Sequence, residues 1–288
     1  MKSGTVALIG RPNVGKSTLV NNIIGQKVAI TSPKPQTTRF PIHGLYEDDR
    51  GQIIFVDTPG IFRKPKDPVS KKINKKALGS FGPDIDLLLY IVDHTRTRDF
   101  EEARVLGIVR GIKKIPKILV INKIDVKEPS YLPLYKFLED EFDTVIKVSA
   151  INKTHINQLL EAIFEKLPEG KPIVDSSKYV YPALNIDSYT FIAELIREKV
   201  FLRMRKELPY TTTVVVDEIK KRDEKLTYIK AKIVTTDDTY KKMLIGRGGR
   251  QIKEIGSMAR RELELATNRK IYLDLTVEVN KHWVSTLI

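Results

Sequence analysis

The stretch Gly10-Arg-Pro-Asn-Val-Gly-Lys-Ser17 has two glycines separated by four residues, followed by a lysine and a hydroxyl residue. Residues 5–9 form an apolar run long enough for a buried strand, and residues 18–24 have the apolar spacing of a helix. Glycines let backbone N–H groups curl around phosphate oxygens, and the N-terminus of the following helix faces the anion. The stretch therefore predicts a phosphate-binding loop between a strand and a helix.

Two side chains at the end of this loop have specific expected roles. Lys16 is expected to reach the β- and γ-phosphates of a nucleotide, and Ser17 to bind Mg²⁺ through its hydroxyl group. The predicted phosphate-binding residues are Asn13, Val14, Gly15, Lys16, Ser17 and Thr18.

The first half of the chain alternates apolar strand-like runs with segments compatible with helices. The runs are residues 6–9, 53–56, 87–92, 118–121 and 144–148. Alternation of this kind predicts an α/β domain with a mostly parallel sheet covered by helices. Ligands of such sheets lie beyond the carboxyl ends of the strands, so the site is expected there.

A second motif, Asp57-Thr-Pro-Gly60, directly follows one of these runs. A carboxylate at a strand end can hold Mg²⁺ through water, and the N–H of Gly60 can bind a γ-phosphate. The pattern alone is a common turn, so its position after the phosphate-binding loop is what makes it informative.

Two further motifs, Asn122-Lys-Ile-Asp125 and Ser149-Ala150, also fall where strands should stop. The carboxylate of Asp125 can accept hydrogen bonds from N1–H and the exocyclic amine of guanine. Adenine lacks that edge and would leave the carboxylate unpaired, which gives strong discrimination. The predicted base-binding residues are Asn122, Lys123, Asp125, Ser149 and Ala150, and they favour GTP over ATP.

Residues 25–40 have no hydrophobic periodicity and contain the sequence Gln36-Thr-Thr-Arg39. Their place between the first helix and the next strand is typical of a switch segment that is ordered only by the γ-phosphate. Thr38 is the residue expected to bind Mg²⁺ in that state.

The ordered set of motifs resembles the translation-factor-like GTPases. The stretch at Gly10 to Ser17, together with Lys34-Pro-Gln-Thr-Thr-Arg39 and Asp57-Thr-Pro-Gly60, is similar to the Era family in particular. The resemblance implies an Mg²⁺-dependent P-loop GTPase that cycles between GTP and GDP, with Lys16, Thr38 and Gly60 as catalytic residues. In related GTPases an asparagine at the place of Asn13 holds K⁺, so K⁺ activation is a further hypothesis.

The residue after the Asp-x-x-Gly motif is Ile61, where many GTPases have a glutamine that orients the attacking water. An apolar side chain cannot do this. Slow intrinsic hydrolysis, stimulated by a partner, is therefore expected.

The second half of the chain predicts the order helix, strand, strand, helix, helix, strand. Between the paired helices lies Gly246-Arg-Gly-Gly249, and this arrangement resembles a type II KH domain. The predicted division is a GTPase domain at residues 1–170, a linker at 171–180 and a KH domain at 181–288.

The Gly-x-x-Gly loop is expected to approach a single-stranded sugar-phosphate chain, with arginines supplying charge. A tight turn between helices is the structural alternative. The predicted RNA-binding residues are Gly246, Arg247, Gly248, Gly249, Arg250 and Lys253. Trp283 is expected to anchor the tail of the domain rather than to stack on a base.

Composition points to a polyanionic partner, since 50 Lys and Arg against 36 Asp and Glu give a net charge of +14. Nucleic acid and an anionic membrane surface both fit, and a merely basic soluble enzyme is the alternative. The seven basic residues within 63–76 form either a solvated face or a contact to RNA phosphates or anionic lipid. Cysteine is absent, which excludes disulfides and thiolate metal sites. With no leader and no apolar run near 20 residues, a cytoplasmic protein is expected, with peripheral contact to the inner face of the cell membrane left open.

The resemblance implies a monomeric GTPase that binds small-subunit ribosomal RNA and assists assembly of the small ribosomal subunit. Two alternatives stay open on the residues alone. The first is an RNA-binding assembly factor whose nucleotide site is regulatory or vestigial, which Ile61 favours. The second is an ATP-dependent RNA enzyme, which Asp125 opposes.

Overall fold

A computed structural model describes residues 1–29, 31, 39, 41–59, 84–175, 188–223, 226–267 and 269–283. The described residues form two compact units, one extending to residue 175 and the other beginning at residue 188. None of the described helices has both the length and the apolar character needed to cross a bilayer.

The first unit alternates strands and helices. Its described strands are β1 (Lys2–Ile9), β2 (Ile42–Asp48), β3 (Gly51–Asp57), β4 (Leu87–Asp93), β5 (Lys117–Asn122) and β6 (Val145–Lys147). Its described helices are α1 (Lys16–Ile24), α2 (Phe100–Gly111), α3 (Lys136–Glu139) and α4 (Ile156–Lys166).

These strands form one sheet in the order β2-β3-β1-β4-β5-β6. All neighbours pair in parallel except β2, which pairs antiparallel with β3. The prediction of a mostly parallel sheet is confirmed. The strand β2 was not predicted, because an edge strand with half-exposed side chains has no continuous apolar run.

Both faces of this sheet are covered. Val6 and Leu8 pack in a cluster with residues of α1 and α4, whereas Ala7 and Ile9 pack with residues of α2. The division follows from the alternation of side chains along a strand. The carboxyl ends of β1, β3 and β5 lead directly into the phosphate-binding loop, the Asp57 motif and the Asn122 motif.

The last described segment of this unit returns to its beginning. The backbone N–H of Ser3 donates to Pro168 O at 3.1 Å, and Lys2 Nζ donates to Leu167 O at 2.8 Å. Gln52 and Val174 exchange two hydrogen bonds of 2.9 Å between the side chain of the former and the backbone of the latter. The unit is thereby closed by contacts across its whole length.

The second unit has the predicted order of elements. They are α5 (Ser188–Arg203), β7 (Thr212–Lys221), β8 (Leu226–Thr235), α6 (Asp238–Ile245), α7 (Arg250–Thr267) and β9 (Lys270–Val279). The sheet order is β7-β8-β9, with the first pair antiparallel and the second parallel.

One face of this sheet packs against the helices. Ile229, Ala231 and Ile233 of β8 lie in a core with residues of α5 and α7, so the intervening side chains of β8 lie on the opposite face, called here the open face. Trp283 is buried and donates its indole N–H to Thr211 O at 3.1 Å. Its ring is therefore an anchor, as expected, and is not available to a base.

Candidate active site

The predicted phosphate-binding loop connects β1 to α1. Gly15 has φ 99°, a left-handed conformation, and a Cβ at this position would lie 2.3 Å from Nδ2 of Asn122. Only glycine fits both the backbone conformation and the space. The loop also contains Asn13, which has φ 64°, and Val14. Thr18 follows the loop in the first turn of α1.

Lys16 is almost completely buried within this loop. Its Nζ donates to Gly10 O at 3.2 Å and to Arg11 O at 3.0 Å. Burial lowers the pKa of Lys16 to about 8, although the nearby carboxylates of Asp57 and Glu102 raise it. A phosphate anion in the loop would offset the unfavourable desolvation of this ammonium group, which makes the loop suited to anions.

Ser17 and Asp57 form the candidate Mg²⁺ site. The hydroxyl group of Ser17 donates to Asp57 Oδ2 at 2.6 Å, and burial raises the pKa of Asp57 to about 6. Among the described residues, Asp57 Oδ1 has no hydrogen-bond partner although it is buried. An unsatisfied buried carboxylate oxygen beside a hydroxyl oxygen fits a hard cation with its water ligands.

Asn122 joins the phosphate-binding loop to the base-binding segment. Its Nδ2 donates to Val14 O at 2.8 Å, and its Oδ1 accepts from the backbone N–H of Ala150 at 2.9 Å. Three motifs that are far apart in the sequence therefore meet at one side chain.

The guanine side of the site is organised around Asp125. Ser149 donates its hydroxyl to Asp125 Oδ1 at 2.6 Å, and the carboxylate is otherwise exposed, so it can accept further hydrogen bonds. Lys123 is held by an ion pair of 2.6 Å between its Nζ and the buried carboxylate of Asp93. The structure thus brings together every predicted nucleotide-binding residue that it describes.

A buried ionic cluster behind the loop was not predicted. Arg11 Nε lies 2.6 Å from Glu102 Oε2, and both side chains are fully buried. Arg11 also donates to the hydroxyl of Tyr135 at 3.0 Å and pairs with Asp99 at 3.1 Å, while Tyr90 donates to Glu102. Burial raises the pKa of Glu102, and the charge of Arg11 opposes that change.

This cluster had one signal in the sequence. Glu102 occupies the same stripe of α2 as Val105, Leu106 and Val109, which are buried. A carboxylate on an apolar stripe requires a buried partner, and Arg11 is that partner.

Other predicted residues lie outside the described residues. They are Thr38, Gly60 and Ile61, together with the basic segment 63–76.

The Gly-x-x-Gly loop lies between α6 and α7 of the second unit. Gly246 has φ 72°, and a Cβ there would lie 2.6 Å from the side chain of Gln251. Gly248 and Gly249 also have positive φ, with open space around the Cβ positions. The backbone of the loop is accordingly accessible to a ligand.

Three cationic side chains surround this loop. Arg247, Arg250 and Lys253 are all exposed. Arg250 forms an ion pair with Glu254, whose Oε1 lies 3.3 Å from Nε of the guanidinium group. A surface ion pair of this kind is weak, so it leaves the guanidinium able to bind phosphate.

Two family models match the chain. One, described as a 50S ribosome-binding GTPase, matches residues 5–123, and one described as a KH domain matches residues 207–284. Relatives named GTPase Era include those of Halothermothrix orenii, 42% identical over 98% of this chain and 94% of the relative, and Carboxydothermus hydrogenoformans, 41% identical over 98% and 94%.

Solved structures agree with these matches. A variant of Aquifex aeolicus Era bound to GDP and aluminium fluoride has a TM-score of 0.90 and 35% identity, covering 99% of this chain and 96% of that one. Era in complex with MgGDPNP and nucleotides 1506–1542 of 16S ribosomal RNA has a TM-score of 0.91 and 35% identity, covering 99% and 95%. With both domains and the nucleotide motifs accounted for over nearly the whole length, the chain belongs to the Era family of GTPases.

Proposed function

We propose that this protein is a GTP-hydrolysing switch that binds small-subunit ribosomal RNA and assists assembly of the small ribosomal subunit. The observation that carries the proposal is the pair of hydrogen bonds made by Asn122, which joins the phosphate-binding loop at Val14 to the base-binding segment at Ala150. The related Era complex with MgGDPNP and 16S ribosomal RNA supports both ligands.

In the proposed site, Lys16 binds the β- and γ-phosphates of GTP. Its ammonium group already lies among the loop carbonyls of Gly10 and Arg11, so little rearrangement is needed when phosphate binds. Preorganised charge of this kind stabilises the negative charge that develops during phosphoryl transfer. Thr38 and Gly60 are proposed to complete the arrangement around the γ-phosphate.

Ser17, Asp57 and Thr38 are proposed to hold Mg²⁺, Asp57 through water. The ion would supply positive charge that stabilises the negative charge of the phosphate groups. Ser17 is expected to turn its hydroxyl proton away from Asp57 when its oxygen becomes a ligand, and the carboxylate of Asp57 then accepts hydrogen bonds from water.

We further propose that residues 1–170 form the GTPase domain, 171–180 the linker and 181–288 the RNA-binding domain. The start of this linker stays bound to the GTPase domain, since Val174 is hydrogen-bonded to Gln52. The KH model, which matches residues 207–284, supports the last of these. RNA contacts are assigned to the loop at Gly246 to Gly249 and to the exposed cations Arg247, Arg250 and Lys253. The groove of a KH domain holds about four nucleotides.

Intrinsic hydrolysis is proposed to be slow, because Ile61 cannot orient water. Asn13 is proposed to hold K⁺ as a substitute for an external arginine. The test is to measure GTP turnover in K⁺ and in Na⁺ at equal ionic strength, with Asn13→Ala as the comparison. Equal turnover of the unchanged protein in both salts would remove the K⁺ proposal.

The protein is proposed to be a monomer with weak affinity for anionic membranes, which its net charge of +14 supports. Sedimentation at several concentrations tests the first part. Co-sedimentation with vesicles of anionic or neutral lipid tests the second, and binding that is independent of lipid charge would contradict it.

The central experiment measures GTP turnover with and without an RNA that carries the 3′ end of small-subunit ribosomal RNA. Wild type is compared with Gly249→Asp, which adds negative charge to the RNA-binding loop, and with Gly249→Asn, which has a similar shape and no charge. RNA is expected to raise turnover in wild type, less in the Asn variant and least in the Asp variant.

The same experiment addresses the alternative of a vestigial nucleotide site, which Ile61 favours. That alternative predicts tight RNA binding with no turnover in either condition. Equal RNA affinity in the presence of a GTP analogue and of GDP would also argue against a switch, because coupling between the two ligands must be reciprocal.

A further inference from the structure

The open face of the second unit's sheet carries a pair of stacked tyrosines. Tyr228 of β8 lies directly opposite Tyr272 of β9, and their ring centroids are 5.8 Å apart with an interplanar angle of 20°. Tyr272 is 59% exposed. An aromatic side chain so exposed on a sheet face is a candidate contact surface.

The tyrosines continue a row of planar groups that begins with an arginine. The guanidinium carbon of Arg222 lies 4.9 Å from the centroid of the Tyr228 ring. Across the sheet the row is therefore Arg222, Tyr228 and Tyr272. Among the described strands β9 pairs only with β8, so the row ends at a sheet edge with one face of Tyr272 turned outward.

Positive charge predominates around this row. Side chains on the same face nearby include the cations Lys220, Lys230 and Lys270 and the anions Glu218 and Asp274. Glu218 pairs with Lys220, and Asp274 accepts a hydrogen bond of 3.0 Å from the Tyr228 hydroxyl. With Arg222, four cations stand against two anions, and Lys270 lies two residues from Tyr272 on the edge strand.

We propose that Tyr272 is a stacking platform for a base of single-stranded RNA, with Lys270 and Arg222 beside the sugar-phosphate chain. The proposal rests on the RNA-binding function proposed above and adds a second contact to it. Exposed aromatic rings beside cations bind single strands because every base has a flat face and every nucleotide carries a phosphate.

This platform is distinct from the Gly-x-x-Gly loop. The loop immediately precedes Arg250 at the start of α7, whereas Tyr272 follows the far end of that helix. A helix of 18 residues is about 27 Å long, so the two contacts lie at opposite ends of the unit. An RNA that fills only the groove of about four nucleotides cannot reach both.

This separation gives the proposal a length-dependent test. The full-length protein is titrated with single-stranded RNAs from about four nucleotides, one groove's worth, up to several times that length, and binding is followed by fluorescence anisotropy. Tyr272→Ala is expected to weaken binding of the long RNAs by about 5- to 100-fold, the effect of losing one stacked base, and to leave the shortest unchanged. Tyr272→Phe keeps the ring and should bind as wild type does.

Thr276→Ala is the matched control, because Thr276 is exposed on the same strand and the same face. Equal affinity of Tyr272→Ala and wild type for every RNA length would overturn the platform, and so would equal weakening at every length, which indicates general damage to the fold. If Tyr272→Ala gives either of these results but Gly249→Asp abolishes RNA binding, the platform is wrong and the proposed RNA contact at the Gly-x-x-Gly loop is retained. If wild type binds no RNA of any length, the proposed function fails together with the platform.

Discussion

Arg11 and Glu102 form an ion pair of 2.6 Å in which neither side chain is exposed to solvent. Arg11 is the second residue of the phosphate-binding loop, and Glu102 lies in α2, so the pair fixes the loop to the helix behind it. Pro12 is held from the same side, since its carbonyl oxygen accepts a hydrogen bond of 3.0 Å from Arg96. Arg11 and Arg96 therefore fix the loop on the side of α2, and the hydrogen bond from Asn122 to Val14 fixes it from β5.

Glu102→Gln is expected to reduce the free energy of unfolding by about 3 kcal/mol, because it leaves the buried charge of Arg11 with only Asp99 as a carboxylate partner. Urea denaturation of the full chain measures this. Glu141→Gln is the control, since it removes an exposed partner of Arg110 and should cost less than about 1 kcal/mol. Equal losses in the two variants would show that the buried pair contributes no more than a surface pair.

Gly15→Ala is expected to weaken GTP binding by about tenfold or more, because a non-glycine residue in this conformation is strained and its Cβ would displace Asn122. Titration calorimetry with GDP and GTP measures the change. Gly107→Ala serves as the control, because Gly107 lies within α2 with no atom within 4 Å of an added Cβ. That variant should bind normally and gain up to about 1 kcal/mol of stability.

Nucleotide affinity in the presence of Mg²⁺ is expected to be highest between about pH 6 and about pH 8. Phosphate binding favours the charged form of Lys16, so above about pH 8 the protein must take up a proton and affinity falls by up to tenfold per pH unit. Below about pH 6 the carboxyl group of Asp57 is protonated and must lose that proton before it can hold Mg²⁺ through water. Nucleotide affinity is therefore expected to fall as the pH is lowered further.

The acid side of this profile needs a reference, because the terminal phosphate of the nucleotide itself titrates near pH 6. Titrations with and without Mg²⁺ provide it: only the Asp57 effect should disappear when the ion is removed. Profiles of the same shape in both series would contradict the assigned role of Asp57.

Asp125→Asn is expected to lower the preference for GTP over ATP by about 10- to 100-fold, because the charged acceptor of the guanine N–H groups is lost. Competition between the two nucleotides measures it. Asp143→Asn is an exposed control that should leave the preference unchanged. Unchanged preference in Asp125→Asn would place guanine recognition elsewhere.

Much of the first unit could be predicted because buried parallel strands are apolar throughout. Leu87–Asp93 has every residue buried, and its apolar run marked the strand directly. In contrast, β2 was missed: most of its residues are only half-buried, so it has no continuous apolar run, and its pairing depends on β3, which no local pattern reveals.

The site followed the same division. Lys16, Ser17 and Asp125 lie in motifs whose spacing is local, so their chemistry could be predicted from neighbouring residues. The partnership of Arg11 with Glu102 spans 91 positions, and the altered pKa values of Lys16 and Asp57 come from burial in the folded chain. Such features depend on tertiary packing and are not encoded in any short stretch.

The hydrogen bonds that close the first unit join residues that are synthesised far apart in time. The strand β1 is synthesised first, but the N–H of Ser3 can donate its hydrogen bond only after Pro168 has been synthesised. In the same way, Asn122 can accept its hydrogen bond only after Ala150 has been added. A nascent chain that stops short of residue 150 carries the complete phosphate-binding sequence but lacks the partner that positions Asn122 against it. We therefore expect competence to bind nucleotide to be acquired only after residue 150 has been synthesised, which nucleotide binding by nascent chains stalled before and after that residue would measure.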